Sequence, residues 1–218
     1  LEKQFESEKK EFDWEQDGFV IYRGLIPKED VRTYIEYMEE TFFNQDKRSK
    51  DDDYIRHPEI RDLLCHKNIA QACEEIGVFG GVHANLINWI YEGVGYHTDI
   101  TSQSMTRIFG VWIALDHIPR EAGTLIIFPG SHKWDIDMSK CEPGYRGETN
   151  QYVYNVIDYY GVEPYYFDAE EGDVLIWDSR CMHRRDDKKN NTPRKAAVTL
   201  CAKEKIMAQH KDGLHYCP

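Results

Sequence analysis

The 218-residue sequence predicts a mainly β fold with α: a double-sheet jelly roll with N-terminal helices packed on one outer sheet. Three observations predict it. Helical periodicity is confined to the first third of the chain. From Val82 onward the pattern changes to short apolar runs punctuated by Gly, Pro and Asn, the mark of consecutive strands. Polar, metal-ligating residues then sit within those strands, as they do when a closed or two-layered sheet encloses a site.

The elements follow in order. Residues 1–13 are highly charged and read as a solvated helix or a frayed end. Pro27 is a start signal for a helix through Asp30-Val31-Arg32-Thr33-Tyr34-Ile35-Glu36-Tyr37-Met38, whose apolar members recur at helical spacing. Lys47 to Asp53 is a charge cluster expected in an exposed loop. A second helical stretch over Pro58 to Ile76 places Ile60, Leu63, Leu64, Ile69 and Cys73 near one face. The strands occupy the rest, and no repeat or low-complexity tract interrupts them. One domain over 1–218 is expected, with a helical part at about 1–80 and the jelly-roll core at about 81–205.

Bulk properties narrow the function. A formal charge of −12 and a pI near 5.2 argue against nucleic acid or an anionic membrane as partner. The longest apolar run, Phe109 to Leu115, is too short to span a bilayer, and no signal peptide is visible. The 6 cysteines show no Cys-x-x-Cys pair or regular framework, which suggests free thiols in a reducing, cytoplasmic setting. Cys181 reads as a small packing residue rather than a metal ligand.

The chemistry gathers at His97-Thr98-Asp99 and His183. Two imidazoles and one carboxylate are the ligand set of a non-haem Fe(II) centre with open coordination positions. On an extended strand His97 and Asp99 share a face, about 7 Å apart at Cα for a rise of about 3.3 Å per residue. His183 closes the apolar strand that begins at Gly172-Asp173. Arg194 follows the polar stretch Asp186 to Pro193, which reads as a hairpin loop. It shares a strand face with Ala196, Val198 and Leu200. A guanidinium on a small apolar face needs an anion, and arginine binds carboxylates through two parallel hydrogen bonds. The alternative is a structural ion pair. His132, in Pro-Gly-Ser-His-Lys, reads as structural, and His66, His83, His117, His210 and His215 have no paired spacing.

At these residues the chain resembles the phytanoyl-CoA dioxygenase-like family of Fe(II)- and 2-oxoglutarate-dependent oxygenases. The ordered matches are Gln16-Asp17-Gly18-Phe19-Val20-Ile21 with Leu25-Ile26-Pro27, then Trp112-Ile113-Ala114-Leu115-Asp116, Ala122-Gly123-Thr124-Leu125 and Pro129-Gly130-Ser131-His132-Lys133. The Gly-Asp strand, His183 and Arg194 close the set. The resemblance implies a double-stranded β-helix, cupin-like core. It implies Fe(II) held by His97, Asp99 and His183, 2-oxoglutarate with its far carboxylate on Arg194, and O2, with ascorbate as a supporting reductant. It places Trp112 beside 2-oxoglutarate, and the small alternate residues Gly110 and Ala114 leave room there for a planar cosubstrate; the other reading of Trp112 is a core aromatic.

Asn85 and Asn88 face opposite sides of one strand, and Asn85 is the choice for an inward amide on the carboxylate next to the keto group. Thr124 is a candidate hydroxyl donor to the cosubstrate, with strand packing as its alternative. One departure stands out. Many members carry small residues after the distal histidine, including a serine that helps bind the far carboxylate; here those places are Arg184 and Arg185. A guanidinium there either replaces the serine, faces an anion of the substrate, or is balanced by Asp186 and Asp187.

The implied activity is hydroxylation of an unactivated C–H bond of a small-molecule metabolite, with release of succinate and CO2. The carboxylate of Asp99 argues against halogenation, because halogenases leave that ligand place to chloride. Desaturation or cyclisation by related chemistry stays open, as does a non-catalytic cupin-like metal- or ligand-binding module. The tyrosine-rich segment from Trp134 to Asp168, with Tyr165 and Phe167 on one strand face, is expected partly as a cover for the barrel mouth. Neither the substrate nor the oligomeric state is legible.

Overall fold

A computed structural model describes residues 10–42, 53–88, 95–99, 108–137, 140, 150–187, 189, 190, 192 and 194–202. In chain order the elements are β1 (Lys10–Glu11), α1 (Trp14–Asp17), β2 (Phe19–Tyr22), α2 (Lys28–Thr41), α3 (Asp53–Arg56), α4 (Pro58–Leu64), α5 (Lys67–Glu75), β3 (Gly81–Asn88) and β4 (Ile108–Ala114). Then follow β5 (Leu125–Ile127), α6 (Gln151–Tyr160), β6 (Tyr165–Phe167), β7 (Val174–Asp178), β8 (His183–Arg185) and β9 (Ala196–Ala202). Among the described residues the strands form two antiparallel sheets, one of six strands in the order β1-β2-β7-β4-β9-β3 and one of three in the order β6-β5-β8. This is the expected jelly-roll arrangement.

Strand alternation explains the layers. In β4, Phe109, Val111 and Ile113 join Val20, Val174, Ile176 and Ala197 in a cluster that receives the helices through Val31, Tyr34, Met38, Ile60, Leu63 and Ile69. The intervening residues Trp112 and Ala114 join Phe19, Ile21, Leu175 and Trp177 in a second cluster, against Leu125, Ile127 and Phe167 of the small sheet. Both faces of the large sheet are therefore covered. That is why β2, β4 and β7 read as unbroken apolar runs rather than as alternating ones.

Local chemistry sets the helix ends. Asp13 caps α1 by accepting from the Gln16 amide at 2.8 Å. α2 starts after Pro27 with Glu29 and Asp30 in its first turn, where acids suit the helix dipole. The expected helix over 58–76 is two helices, because the chain turns at Cys65 and restarts with the His66 ring accepting from the Asn68 amide at 3.2 Å.

Two segments of the part expected to be helical are strands. Lys10–Glu11 is not helix but an edge strand paired with Tyr22 and Ile21. Phe19–Tyr22 is an interior strand of the large sheet, paired residue for residue with Trp177 to Val174. Four consecutive buried apolar residues are too short to show a period, so partners, not pattern, decide their state. Most of the charge cluster at 47–53 lies outside the described residues. Among the described residues no helix is long and apolar enough to cross a membrane.

Candidate metal centre

The first 2 ligand residues are placed by backbone pairing across the fold. His97 and His183 exchange both amide hydrogen bonds, at 2.9 and 3.0 Å, and the Asp99 amide donates to the Ser179 carbonyl at 2.9 Å. His97 therefore stands directly opposite β8, and Asp99 follows it along the end of β7. The spacing of two that the sequence shows becomes convergence of both side chains on the His183 ring.

The side chains are then oriented one by one. The Nδ1 of His97 lies 2.8 Å from the Gly95 carbonyl, and that of His183 lies 3.0 Å from the Cys181 carbonyl. A carbonyl only accepts, so each Nδ1 carries the proton and each Nε2 presents a lone pair. The Trp177 indole N–H donates to Asp99 Oδ2 at 2.9 Å, which leaves Oδ1 for the centre. Asp99 Oδ1 stands 3.8 Å from His97 Nε2 and 3.7 Å from His183 Nε2. All three ligand atoms lie within 4.8 Å of one another. Three acceptors face each other with no proton among them in this tautomeric state, an arrangement that repels itself unless a cation sits between. The donor set fits a divalent transition metal.

Beyond the centre lies the gap between the sheets. Arg194 is buried, and its guanidinium carbon is 5.7 Å from the centre of the Trp112 ring. The Trp112 ring is also buried, edge-on to Phe167 at 5.2 Å. Its indole N–H has no hydrogen-bond partner among the described residues. A buried donor left unmade is costly, so this pocket suits a ligand with an acceptor oxygen.

The two arginines after His183 separate by strand alternation. Arg184 is opposite Ile126, pairs with Asp186 at 3.2 Å and Asp187 at 3.7 Å, and lies over the Tyr96 ring. This matches the reading in which local acids balance it. Arg185 shares the His183 face, is buried, and stands opposite Leu125 and, beyond it, Phe167 in the row that lines the gap.

Register and hydrogen bonding place the remaining residues. Asn85 is in register with Thr199 and, beyond it, Val111, the row that faces the helices. Asn88 is in register with Ala196 and Ala114, the row between the sheets. Thr124 donates its hydroxyl to the Phe167 carbonyl, tying β5 to β6, so its proton is spent on the sheet rather than on a ligand. The space beside Gly110 is filled by Trp177: a Cβ at Gly110 would stand 2.1–2.3 Å from the indole ring.

The matched motifs meet in one knot behind the ligands. The Gly18 carbonyl accepts from the Asp178 amide at 2.8 Å and from the Cys181 thiol at 3.3 Å. The Gly130 amide donates to the Asp17 carbonyl at 2.7 Å. Ser131 donates to the Phe128 carbonyl at 2.7 Å and accepts from the Met182 amide at 2.8 Å, fixing the chain next to His183. Burial raises the Cys181 thiol well above its ordinary value, so it stays a protonated packing group, as expected. Trp177 and Ser131 also touch or flank the candidate ligands, and sequence alone gives neither a role, because their partners Asp99 and Met182 lie far away in the chain.

The helix within the tyrosine-rich segment is α6. Its Tyr160 stacks on Trp134 at 4.6 Å, and the hydroxyls of Tyr160 and Tyr152 accept from the Asp135 and Asp137 amides at 2.6 and 2.7 Å. These rings fasten the helix. Tyr154 meets Tyr96, the residue before His97, edge-on at 6.0 Å.

No curated protein matches the chain. Among solved structures it is similar to the non-haem α-ketoglutarate-dependent carbocyclase SnoK from nogalamycin biosynthesis, at TM-score 0.70 and 19% identity, covering 87% of this chain and 81% of that one. It is similar to the epimerase SnoN in complex with Fe3+, α-ketoglutarate and nogalamycin RO, at TM-score 0.68 and 15% identity over 93% and 91% of the two chains. HygX from Streptomyces hygroscopicus, with nickel and 2-oxoglutarate bound, aligns at TM-score 0.65 and 15% identity over 87% and 84%. At these identities the likeness is one of fold. The family model described as phytanoyl-CoA dioxygenase (PhyH) matches residues 14–196, a span that takes in the knot, His97, Asp99, His183 and Arg194. The chain therefore belongs to the phytanoyl-CoA dioxygenase family of iron- and 2-oxoglutarate-dependent oxygenases.

Proposed function

We propose that this chain is a hydroxylase that oxidises an unactivated C–H bond of a small-molecule metabolite and converts 2-oxoglutarate to succinate and CO2. The observation that carries this reading is the convergence of His97 Nε2, Asp99 Oδ1 and His183 Nε2, with the remaining polar atoms of all three engaged elsewhere. Bound there, Fe(II) would couple decarboxylation of 2-oxoglutarate to O2-dependent oxidation of the substrate.

The protein's own residues divide the remaining work. Arg194 pairs with the far carboxylate of the cosubstrate, and the Trp112 N–H donates to one of its oxygens. Arg185, on the inward face two residues after His183, lends a second guanidinium to the same end of the cavity. Phe167, Leu125 and Leu175 make the walls apolar, which excludes water from the pocket. Asp99 occupies the ligand place that a halogenase would leave to chloride, which supports hydroxylation. Cyclisation is the competing outcome of the same chemistry, and the fold-level likeness to a carbocyclase keeps it in view.

The test is 2-oxoglutarate consumption with Fe(II), ascorbate and O2 across a panel of small metabolites. Succinate formed in step with a product heavier by one oxygen supports the proposal. A substrate product lighter by two hydrogens makes the chain a cyclase or desaturase. No succinate with a metal-loaded protein and a broad panel leaves a binding module as the better description.

A further inference from the structure

We propose that Trp177 is a positioning residue that keeps Asp99 a one-oxygen ligand and so holds a coordination position open. The inference rests on the metal reading of His97, Asp99 and His183 and deepens it. Asp99 is held from both ends by the same stretch of chain. Its amide donates to the Ser179 carbonyl at 2.9 Å, and its Oδ2 accepts from the Trp177 N–H at 2.9 Å. Only Oδ1 faces the two imidazoles, at 3.8 and 3.7 Å.

The indole reaches that carboxylate because the sheet makes room for it. Trp177 and Gly110 are directly opposite in the β7–β4 register. The ring lies so close over Gly110 that any side chain there would collide with it, a Cβ standing 2.1 Å from the nearest ring atom. Trp177 is 2% exposed and its ring is 5.4 Å from that of His183. The indole is therefore locked by packing, and its N–H direction is fixed before any metal enters.

The consequence concerns coordination number. A small carboxylate can turn about its Cβ–Cγ bond and chelate a metal through both oxygens. Here that turn would pull Oδ2 from the indole and leave a buried N–H without an acceptor, which is unfavourable. Three protein ligands then leave three positions of an octahedral metal. A 2-oxo acid chelating through two oxygens and O2 through one would use all of them. A two-oxygen Asp99 would remove one position, and the cosubstrate and O2 would compete for the rest.

The experiment counts open positions directly. Mn(II) is bound in place of iron without cosubstrate, and the water-proton relaxation rate reports the number of exchangeable waters on the metal. Trp177→Phe keeps an aromatic ring but has no N–H. It is expected to bind Mn(II), to lose about a third of the relaxation enhancement as one of three open positions closes, and to bind 2-oxoglutarate at least tenfold more weakly. If the phenylalanine variant fails to show a cooperative thermal transition, β-(3-benzothienyl)alanine at position 177 keeps the shape of the ring and removes only the N–H. Wild-type relaxation in either folded variant overturns the proposal, whatever happens to 2-oxoglutarate. A wild-type chain that takes up Mn(II) but not 2-oxoglutarate refutes the proposed function instead, while the relaxation comparison still decides the role of Trp177. A wild-type chain that takes up no Mn(II) overturns both.

Discussion

The guanidinium of Arg194 lies 5.7 Å from the centre of the Trp112 ring, so one buried cation and one buried indole face the same gap between the sheets. Removing the guanidinium takes away the charge but leaves the ring. Arg194→Ala is expected to weaken 2-oxoglutarate binding by about 2 kcal/mol or more, the loss typical of a paired charge, while Fe(II) affinity stays within about threefold because no metal ligand moves. Isothermal titration of each ligand separates the two. Equal 2-oxoglutarate affinity in wild type and variant would count against the role of Arg194.

Arg185 offers a sharper comparison. Arg185→Ser puts at this inward place the kind of small hydroxyl residue that the family resemblance implies just after the distal histidine. It is expected to raise the 2-oxoglutarate requirement about threefold to tenfold, or about 1 kcal/mol, because a hydroxyl bond replaces a charge-assisted one. Arg184→Ser, on the outward face and balanced by Asp186 and Asp187, is expected to leave that requirement unchanged. Apparent KM for 2-oxoglutarate in the two variants checks both statements.

Thr124 is expected to matter for stability and not for cosubstrate. Thr124→Val keeps the shape, removes the hydroxyl that donates to the Phe167 carbonyl, and should cost about 1–2 kcal/mol by urea unfolding. An unchanged stability with a raised 2-oxoglutarate requirement would return Thr124 to the binding site.

Gly18 ends α1 at φ +81, and a Cβ there would stand 2.2 Å from His132 Nδ1 and 2.6 Å from Cys181 Sγ. Gly18→Ala is expected to destabilise the chain by about 3 kcal/mol or more, combining backbone strain with overpacking. Fe(II) affinity should fall with it, because Cys181 is the residue whose carbonyl orients His183. A variant as stable as wild type in thermal melts would show that the knot adapts.

The same knot carries a pH dependence. His132 is lowered below the ordinary histidine value first by burial; Asp178 opposes this, while Lys133 and Arg180 add to it. The folded state therefore binds this proton less readily than the unfolded chain. Stability from this group is full above about pH 6.5 and falls as pH drops below it. His132→Asn, which cannot charge, is expected to flatten that decline. Thermal melts of both proteins from pH 7.5 to 5 test it, and parallel curves would place the acid sensitivity elsewhere.

What the sequence made legible was whatever depends on residue type and short spacing. His97 and Asp99 two apart, His183 at a strand end and Arg194 on a small-residue face all come to one gap, because alternation along a strand is a local property. Which row of the sheet Asn85 joins depends on its register with β9, which no local pattern states. The reach of Trp177 to Asp99 is illegible for a related reason: it depends on Gly110 lying opposite, a pairing between residues far apart in sequence. β2 is illegible because four buried apolar residues carry no period.

The pairing of Phe19 with Trp177 also has a meaning in time. The strand that ends next to His183 lies between β2, from the start of the chain, and β4, from its middle. A growing polypeptide has made β2 long before β7 exists, so the edge of the early strand that faces β7 must wait without its partner. Contacts of such long sequence separation form slowly, and strands left waiting invite wrong partners. The metal centre is thus among the last things this chain can assemble as it is made, and its yield in a cell will depend on what shelters Phe19–Tyr22 until then.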